Sequence, residues 1–320
     1  MSKIYIIHEN EDWQLPLRAS LQKRALAFEE WFIHKNELNI LKSPPDGVFF
    51  NRMSASSHTR DHRYAPEMTE NILSWLQLHD RKVINGRRAI QLELRKSEQC
   101  LALQKFGIQT PKTILVNDPT LLKNAAIELG SFPFILKPNR GGKGLGVQLI
   151  HDLIHLDQLI GNEQLPESLD GIYLVQEYIE PKDNSITRVE IIGGQFHYAV
   201  RVDCSNGFQL CPADVCQVGD AFCPVGESSG NKPNEKFKII RNFDNPDITL
   251  YEEFMSANHI QIGALEYLTD KHGRRYVYDV NTNTNYNQRA EKKAGLATTA
   301  MDKIAEFLEK ELEMSYALCP

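Results

Sequence analysis

Short apolar runs and longer stretches of helical spacing alternate along the first ~85 residues. Ile4–Ile7 reads as a strand and Leu15–Leu26 as a helix, followed by further strands at Phe28–Ile33 and Val48–Phe50. Pro66–His79 places Met68, Ile72, Trp75, Leu76 and His79 at helical intervals, and Arg81–Ile84 returns to strand. This alternation predicts a small α/β layer domain with a parallel sheet. A second helix pattern covers residues 89–106, with Lys96 in its middle and Gly107 as its C-cap. A strand opens at Pro111, a helix spans Asp118–Leu129, and apolar strands follow on both sides of a glycine run, the second at Val147–Ile150. From Ile172 the pattern is mainly strands: Ile172–Ile179, Arg188–Ile192 and Gln195–Val202. Residues 212–247 are rich in Pro, Gly and Asn and read as loop; a helix at about Leu250–Asn258 and a hairpin, Ile260–Leu268 with Arg274–Val280, come after. The last helix lines up Met301, Ile304, Ala305, Leu308 and Leu312 on one face, a core-packing pattern.

Composition narrows the class without fixing it. The 320 residues are 42% hydrophobic and 24% charged, with a net charge of −6. That is ordinary globular composition, with no basic footprint for nucleic acid. No apolar stretch approaches the ~18 residues of a membrane span, and the N-terminal strand reaches Glu9 and Asp12 without a leader's apolar core. A cytoplasmic protein is expected, with neither membrane nor nucleic-acid partner. Four of the six cysteines fall at Cys204, Cys211, Cys216 and Cys223 without a Cys-x-x-Cys pair, so they read as reduced thiols, with a zinc or thiol module as the alternative.

The strongest chemical signal lies at residues 132–150. An apolar strand ends in Lys137, and a loop with Gly141, Gly142, Gly144 and Gly146 follows. Glycines permit sharp turns and close backbone approach, and clustered N–H groups cradle anions. Lys143 adds charge inside the loop. Lys143 is followed by Gly144 rather than Ser or Thr, so this is no Walker loop, and the spacing departs from Gly-x-Gly-x-x-Gly. The loop joins two strands and reads as a hairpin flap over polyphosphate; an ordinary glycine-rich hairpin has the same pattern.

The late hairpin is the second signal. With a four-residue turn at Asp270–Gly273, Glu266 would pair opposite Val277, and Glu266, Asp279 and Asn281 would share one face. Two carboxylates and an amide oxygen suit a hard cation such as Mg²⁺; a charged solvent face is the plainer alternative. The exit Asn281-Thr-Asn-Thr-Asn-Tyr-Asn is dense in amides and suits a ligand-lined loop, with Asn283 and Asn285 as substrate candidates. Another polar loop, Asn51–Arg63, follows a strand of the first domain, where α/β sheets favour ligand sites, and Arg52 is its best substrate candidate. Gln176-Glu177-Tyr178-Ile179 ends a strand and offers backbone edge groups and a flat apolar surface for an adenine.

Together these motifs resemble the ATP-grasp superfamily, and within it the RimK-like branch of ribosomal-protein glutamate ligases, over nearly the whole chain. The resemblance implies an ATP-grasp fold behind an N-terminal pre-ATP-grasp α/β domain. Residues 1–85 would form that domain, 86–171 the small lid subdomain with the flap, and 172–320 the large subdomain with the metal site. It implies nucleotide-binding lysines at Lys96, ahead of Gly107-Ile-Gln-Thr-Pro111, and at Lys137. Glu177 and Ile179 become adenine contacts, and Glu266, Asp279 and Asn281 the ligands of Mg²⁺, with Mn²⁺ as an alternative ion. Arg188 and Arg201 fall where the family places arginines facing phosphate or substrate. The chain departs at Ile186, where close relatives have an aspartate that contacts ribose, leaving Asp183 as a nearby substitute. It departs also in the Glu-then-Asp order of the metal acids, in the loop after Asn281, and in the 204–223 segment. The implied activity is ATP-dependent ligation: a carboxylate of a small molecule, peptide or protein forms an acyl phosphate and an amine displaces phosphate. A nucleotide-binding regulator without catalysis is the rival. Many members of the family are oligomers, so a homo-oligomer is allowed.

Overall fold

The computed structural model describes residues 2–142, 144–205 and 236–317. Lys143, Cys211, Cys216 and Cys223 lie outside the described residues. In chain order the elements are β1 (Lys3–His8), α1 (Leu15–Lys23), β2 (Phe28–Phe32), β3 (Gly47–Asn51), α2 (Ala65–Leu78), β4 (Lys82–Ile84), α3 (Arg87–Leu94), α4 (Lys96–Lys105), β5 (Thr113–Val116), α5 (Leu122–Leu129), β6 (Phe134–Pro138), β7 (Gln148–Ile150) and α6 (Leu153–Gly161). Then follow β8 (Tyr173–Glu177), β9 (Ser185–Ile192), β10 (Gln195–Asp203), β11 (Phe237–Ile239), α7 (Ile248–Ala257), β12 (Ile262–Thr269), β13 (Arg275–Asn281), α8 (Gln288–Ala294) and α9 (Ala300–Ala317). No helix among the described residues is long and apolar enough to cross a membrane.

The first sheet has the order β2-β1-β3-β4 and every pair is parallel. Its central strands, β1 and β3, are apolar on both faces because both are covered. Ile4, Ile6, Val48 and Phe50 pack under α1 and α9, where Met301, Ile304, Ala305, Leu308 and Leu312 are buried as their spacing predicts. Tyr5, Ile7 and Phe49 turn the other way, onto Ile72, Leu73 and Leu76 of α2. The second sheet, β5-β8-β6-β7, is antiparallel, with α5 and α6 on one face. The third, β11-β10-β9-β12-β13, is antiparallel too. One face of it packs on α7 and residues of α3 and α4, while the other joins the core beneath the first sheet.

Three local expectations need correction. Residues 89–106 are not one helix: Arg95 is extended (φ −127°, ψ 98°) and separates α3 from α4, so Lys96 opens a helix instead of sitting inside one. The break survives because tertiary partners satisfy the new helix start. The Lys96 N–H donates to the Asn139 carbonyl (3.1 Å) and the Ser97 N–H to Asn139 Oδ1 (2.9 Å). In the late hairpin, Glu266 pairs opposite Asp279, not Val277, because a bulge accommodates Tyr278. The displacement is two residues, so the side-chain parity that puts Glu266, Asp279 and Asn281 on one face is kept. Finally, the stretch read as loop at 212–247 contains β11, which pairs with β10.

Candidate active site

Alternation along β6 decides where Lys137 points. Phe134 and Leu136 enter the core under α5 and α6, so Ile135 and Lys137 face the opposite side, where they line a cleft of about 280 Å³. The same rule acts on the third sheet. Val189, Leu265 and Val280 point to the α7 side, and Arg188, Glu266 and Asp279 line the cleft from three adjacent strands. Their Cα positions are in register, Arg188 opposite Glu266 and Glu266 opposite Asp279. The row of polar groups is therefore a consequence of strand pairing.

Two features bring the lysines together. Asn139, two residues beyond Lys137, caps the start of α4, which fixes Lys96 close to the end of β6. Gln99 then ties α4 to β13: its Nε2 donates to the Leu92 (2.6 Å) and Val280 (2.8 Å) carbonyls, and its Oε1 accepts from the Val280 N–H (3.0 Å). Lys96 is thereby held over Asp279, with Nζ 2.5 Å from Oδ1.

The electrostatics of the cluster are uneven. Arg188 is buried, with Nε 2.5 Å from Glu190 and Nη1 3.0 Å from Glu266. Burial works against its charge, but Glu190 and Glu266 outweigh it and hold the pKa up. Burial likewise pulls Lys96 down, and Asp279 more than restores it. Burial pushes the Glu266 carboxyl up, whereas for Asp279 the Lys96 charge overcomes burial and holds it down. Glu190, deeper still, is pushed up to about 7 by burial. Lys137 stands apart. It is 5% exposed, and its side chain makes no hydrogen bond or ion pair to any described residue. Burial, with Lys96 nearby, lowers its pKa from 10.5 to about 8. Asp279 acts on it only from beyond ion-pair distance and is itself paired with Lys96, so the buried ammonium is costly to keep, and an anion in the cleft would remove that cost.

Above this cluster the segment from Pro138 to Val147 links β6 to β7 as an antiparallel hairpin, so the flap joins two strands as the sequence predicts. Gly141, Gly142 and Gly144 line the cleft. Gly144 and Gly146 both have φ of +73°, a region that side-chained residues avoid. A Cβ on Gly142 would stand 3.2 Å from the Ser56 Cβ, so the flap lies tightly against the loop after β3. Arg140 pins the base of the flap to Glu67 of α2 (2.5 Å).

Gln176, Glu177, Tyr178 and Ile179 line the cleft beyond the flap. Gln176 Nε2 donates to Thr113 Oγ1 (2.8 Å), and the Glu177 N–H to the Lys112 carbonyl (2.8 Å). Asn281, Asn283 and Asn285 line the other end. Asn281 Nδ2 lies 3.2 Å from Glu266 Oε1 and 3.4 Å from Asp279 Oδ2. Turning that carboxamide over would present its oxygen beside both carboxylates, an all-oxygen donor set that fits Mg²⁺.

Three predicted residues stand outside the cleft lining. Arg201 is half exposed and pairs with Asp183 (3.1 Å), and both lie off the cleft. Arg52 is buried at 2% exposure. Its guanidinium donates to the Trp13 carbonyl (3.1 Å), Gln14 Oε1 (2.8 Å), the Thr284 carbonyl (3.1 Å) and Asn285 Oδ1 (3.2 Å), bracing the amide-rich loop from behind. Cys204 lines the cleft as a thiol that burial pushes up to about 11, away from reactivity at neutral pH. Among the described residues, no three His, Cys, Asp or Glu side chains form a metal cluster.

Sequence reasoning missed Glu93, Ser54 and Ser56, which also line the cleft. Glu93 is half-buried and accepts the Ala55 N–H (3.2 Å) and the Thr282 N–H (2.8 Å), fastening the loop after β3 to the loop after β13. A carboxylate within a helical apolar pattern carries no signal of that role. The two serines lie in the loop after β3, for which position alone was a signal.

Comparison with known proteins agrees with this geometry. Residues 93–209 match the family model of the RimK-like ATP-grasp domain. A probable alpha-L-glutamate ligase of Xylella fastidiosa is 30% identical over 115 residues, covering 35% of this chain and 36% of that protein, so the match spans about a third of the relative's length. A RimK domain ATP-grasp protein from Sphaerobacter thermophilus superposes with a TM-score of 0.65 at 15% identity, over 96% of this chain and 99% of that one. The ATP-grasp ligase PsnB, solved with a minimal precursor, Mg and ADP, gives 0.65 at 13% identity, covering 97% of each chain. Likeness at these identities establishes the fold, which is ATP-grasp.

Proposed function

We propose that this chain, whose residues 93–209 match the RimK-like ATP-grasp family model, is an ATP-dependent carboxylate–amine ligase that works through an acyl phosphate. The observation that carries the reading is Lys137, a buried, unpaired ammonium in a cleft that a glycine hairpin covers. Lys137 and Lys96 bind the phosphates of ATP, and backbone N–H groups of Gly141, Gly142 and Gly144 cover them, with Lys143 contributing charge. Gln176–Ile179 receive the adenine. Glu266, Asp279 and Asn281 hold Mg²⁺, which when bound neutralises charge on the transferring phosphoryl group. Arg188 faces the same point and offers a guanidinium to the oxyanions of the phosphoryl group and substrate carboxylate. Phosphoryl transfer relies on positioning and charge neutralisation, so no side-chain nucleophile is needed. Flap closure keeps water from the acyl phosphate.

PsnB binds its precursor, and the curated relative is a probable glutamate ligase. For this chain both support a carboxylate as donor and an amine as acceptor. Hydroxylamine trapping tests the intermediate without knowledge of the acceptor. With Mg-ATP and pooled carboxylates, hydroxamate should accumulate in step with ADP. ADP release without hydroxamate from any pool speaks for simple hydrolysis and against the reading.

A further inference from the structure

We propose that the end of the cleft beyond Asn281 is a subsite for an uncharged amide of the substrate, a peptide main chain or a carboxamide, and that it rejects a second carboxylate there. The residues after β13 alternate. Asn281, Asn283 and Asn285 are half-buried and line the cleft, while Thr282, Thr284 and Tyr286 are buried on the other side. Three carboxamides therefore face one side in steps of two residues, as side chains do along an extended strand.

Their hydrogen-bonding capacity is divided in a particular way. Asn285 Oδ1 is occupied by Arg52, so what remains at this side chain is its Nδ2 donor. Asn283 Oδ1 is buried without any hydrogen-bond partner, an acceptor that needs an N–H. A free donor and a free acceptor two residues apart complement the C=O and N–H of a single extended amide.

Charge at this end points the same way. Both nearby guanidinium groups are engaged. Arg52 donates to four protein oxygens, and Arg60 is held by Glu9 through two contacts of 3.0 and 2.6 Å. Of the cleft-lining residues here (Trp13, Ser54, Ser56, Glu93, Asn283 and Asn285), the one charged group is the Glu93 carboxylate. A carboxylate placed here would be desolvated beside an anion, while Lys96, the cation that acts on Glu93, is already paired with Asp279. A neutral amide suffers neither cost. The inference rests on the ligase reading for its biological meaning, but its binding chemistry stands on these residues alone.

Saturation-transfer NMR on the full chain with Mg²⁺ and a non-hydrolysable ATP analogue, using leucinamide and leucine as probes, separates the two. Leucinamide should bind at least about tenfold more tightly than leucine, the scale of one hydrogen bond gained and one unpaired charge avoided. Asn283→Ala should erase the preference, and Asn283→Asp, of the same shape, should lower leucinamide binding less than leucine binding. Equal or tighter binding of leucine, or no transfer to either probe, overturns the proposal. The same pair in an ADP-release assay keeps the two readings apart. Amide-selective binding without turnover leaves the subsite standing and removes the ligase. With both offered as the amine, turnover that requires the pooled carboxylates and prefers leucine over leucinamide removes the subsite and leaves the ligase.

Discussion

Replacing Lys137 by methionine should make the nucleotide-free protein more stable while destroying nucleotide binding. Lys137 is 5% exposed, and its pKa falls from 10.5 to about 8. A shift of that size corresponds to about 3 kcal/mol of charge burial left uncompensated in the folded state. Methionine fills similar space without the charge. At pH 7 the penalty is present in full, because the lysine is protonated both folded and unfolded. As pH rises through 8 towards 10.5 the folded protein gives up the proton first and the penalty fades, so the wild type gains stability there. The variant's advantage in calorimetric melting, without nucleotide, should thus be a few degrees at pH 7 and shrink by pH 10. Titration with Mg-ATP should show the reverse order, with binding by wild type and loss of at least about a hundredfold in the variant, the cost of one desolvated charge contact. A variant that melts lower than wild type at pH 7, or binds ATP normally, would refute the reasoning that Lys137 is kept charged for an anionic ligand.

Asp279→Asn removes the Lys96 partner (2.5 Å) together with one metal carboxylate, and should raise the Mg²⁺ concentration needed for half-maximal turnover by about tenfold or more; an unchanged Mg²⁺ titration rejects the assignment. Gly142→Val places a branched side chain where a Cβ alone meets Ser56 at 3.2 Å, so it should raise the KM for ATP while leaving the melting temperature within about 2 °C, since the clash is at the flap and outside the four hydrophobic cores. Arg188→Ala leaves Glu190 and Glu266 buried without their cation and should abolish turnover, while Arg201→Ala, which removes an exposed pair with Asp183, should change kcat by less than about threefold. Comparable losses in both arginine variants would show that Arg201 reaches the chemistry.

The strands and their cleft-facing residues could be read from the chain because alternation is a local property. Leu136 and Lys137 must face opposite ways, and so must Leu265 and Glu266, whatever else the fold does. The glycine loop was legible because its composition has few other uses between two strands. What escaped depends on residues far apart in sequence. The break at Arg95 is stabilised by Asn139, and the periodicity of 89–106 runs through it without interruption. The bulge at Tyr278 has no composition of its own, though Tyr278 Oη then donates to Glu266 (3.1 Å). Glu93 and Arg52 are charged residues whose partners are backbone and side-chain groups far away in sequence, so no spacing rule could have told a strut from a ligand contact. β11 follows a polar stretch and is fixed by pairing with β10 more than by its own three residues.

ADP release from Mg-ATP, measured against pooled carboxylates and amines with Lys137→Met in parallel, bears most directly on the ligase account. The account predicts release that requires both a carboxylate and an amine pool and is absent in the variant. Release that ignores the pools, or that persists at the wild-type rate in Lys137→Met, contradicts it.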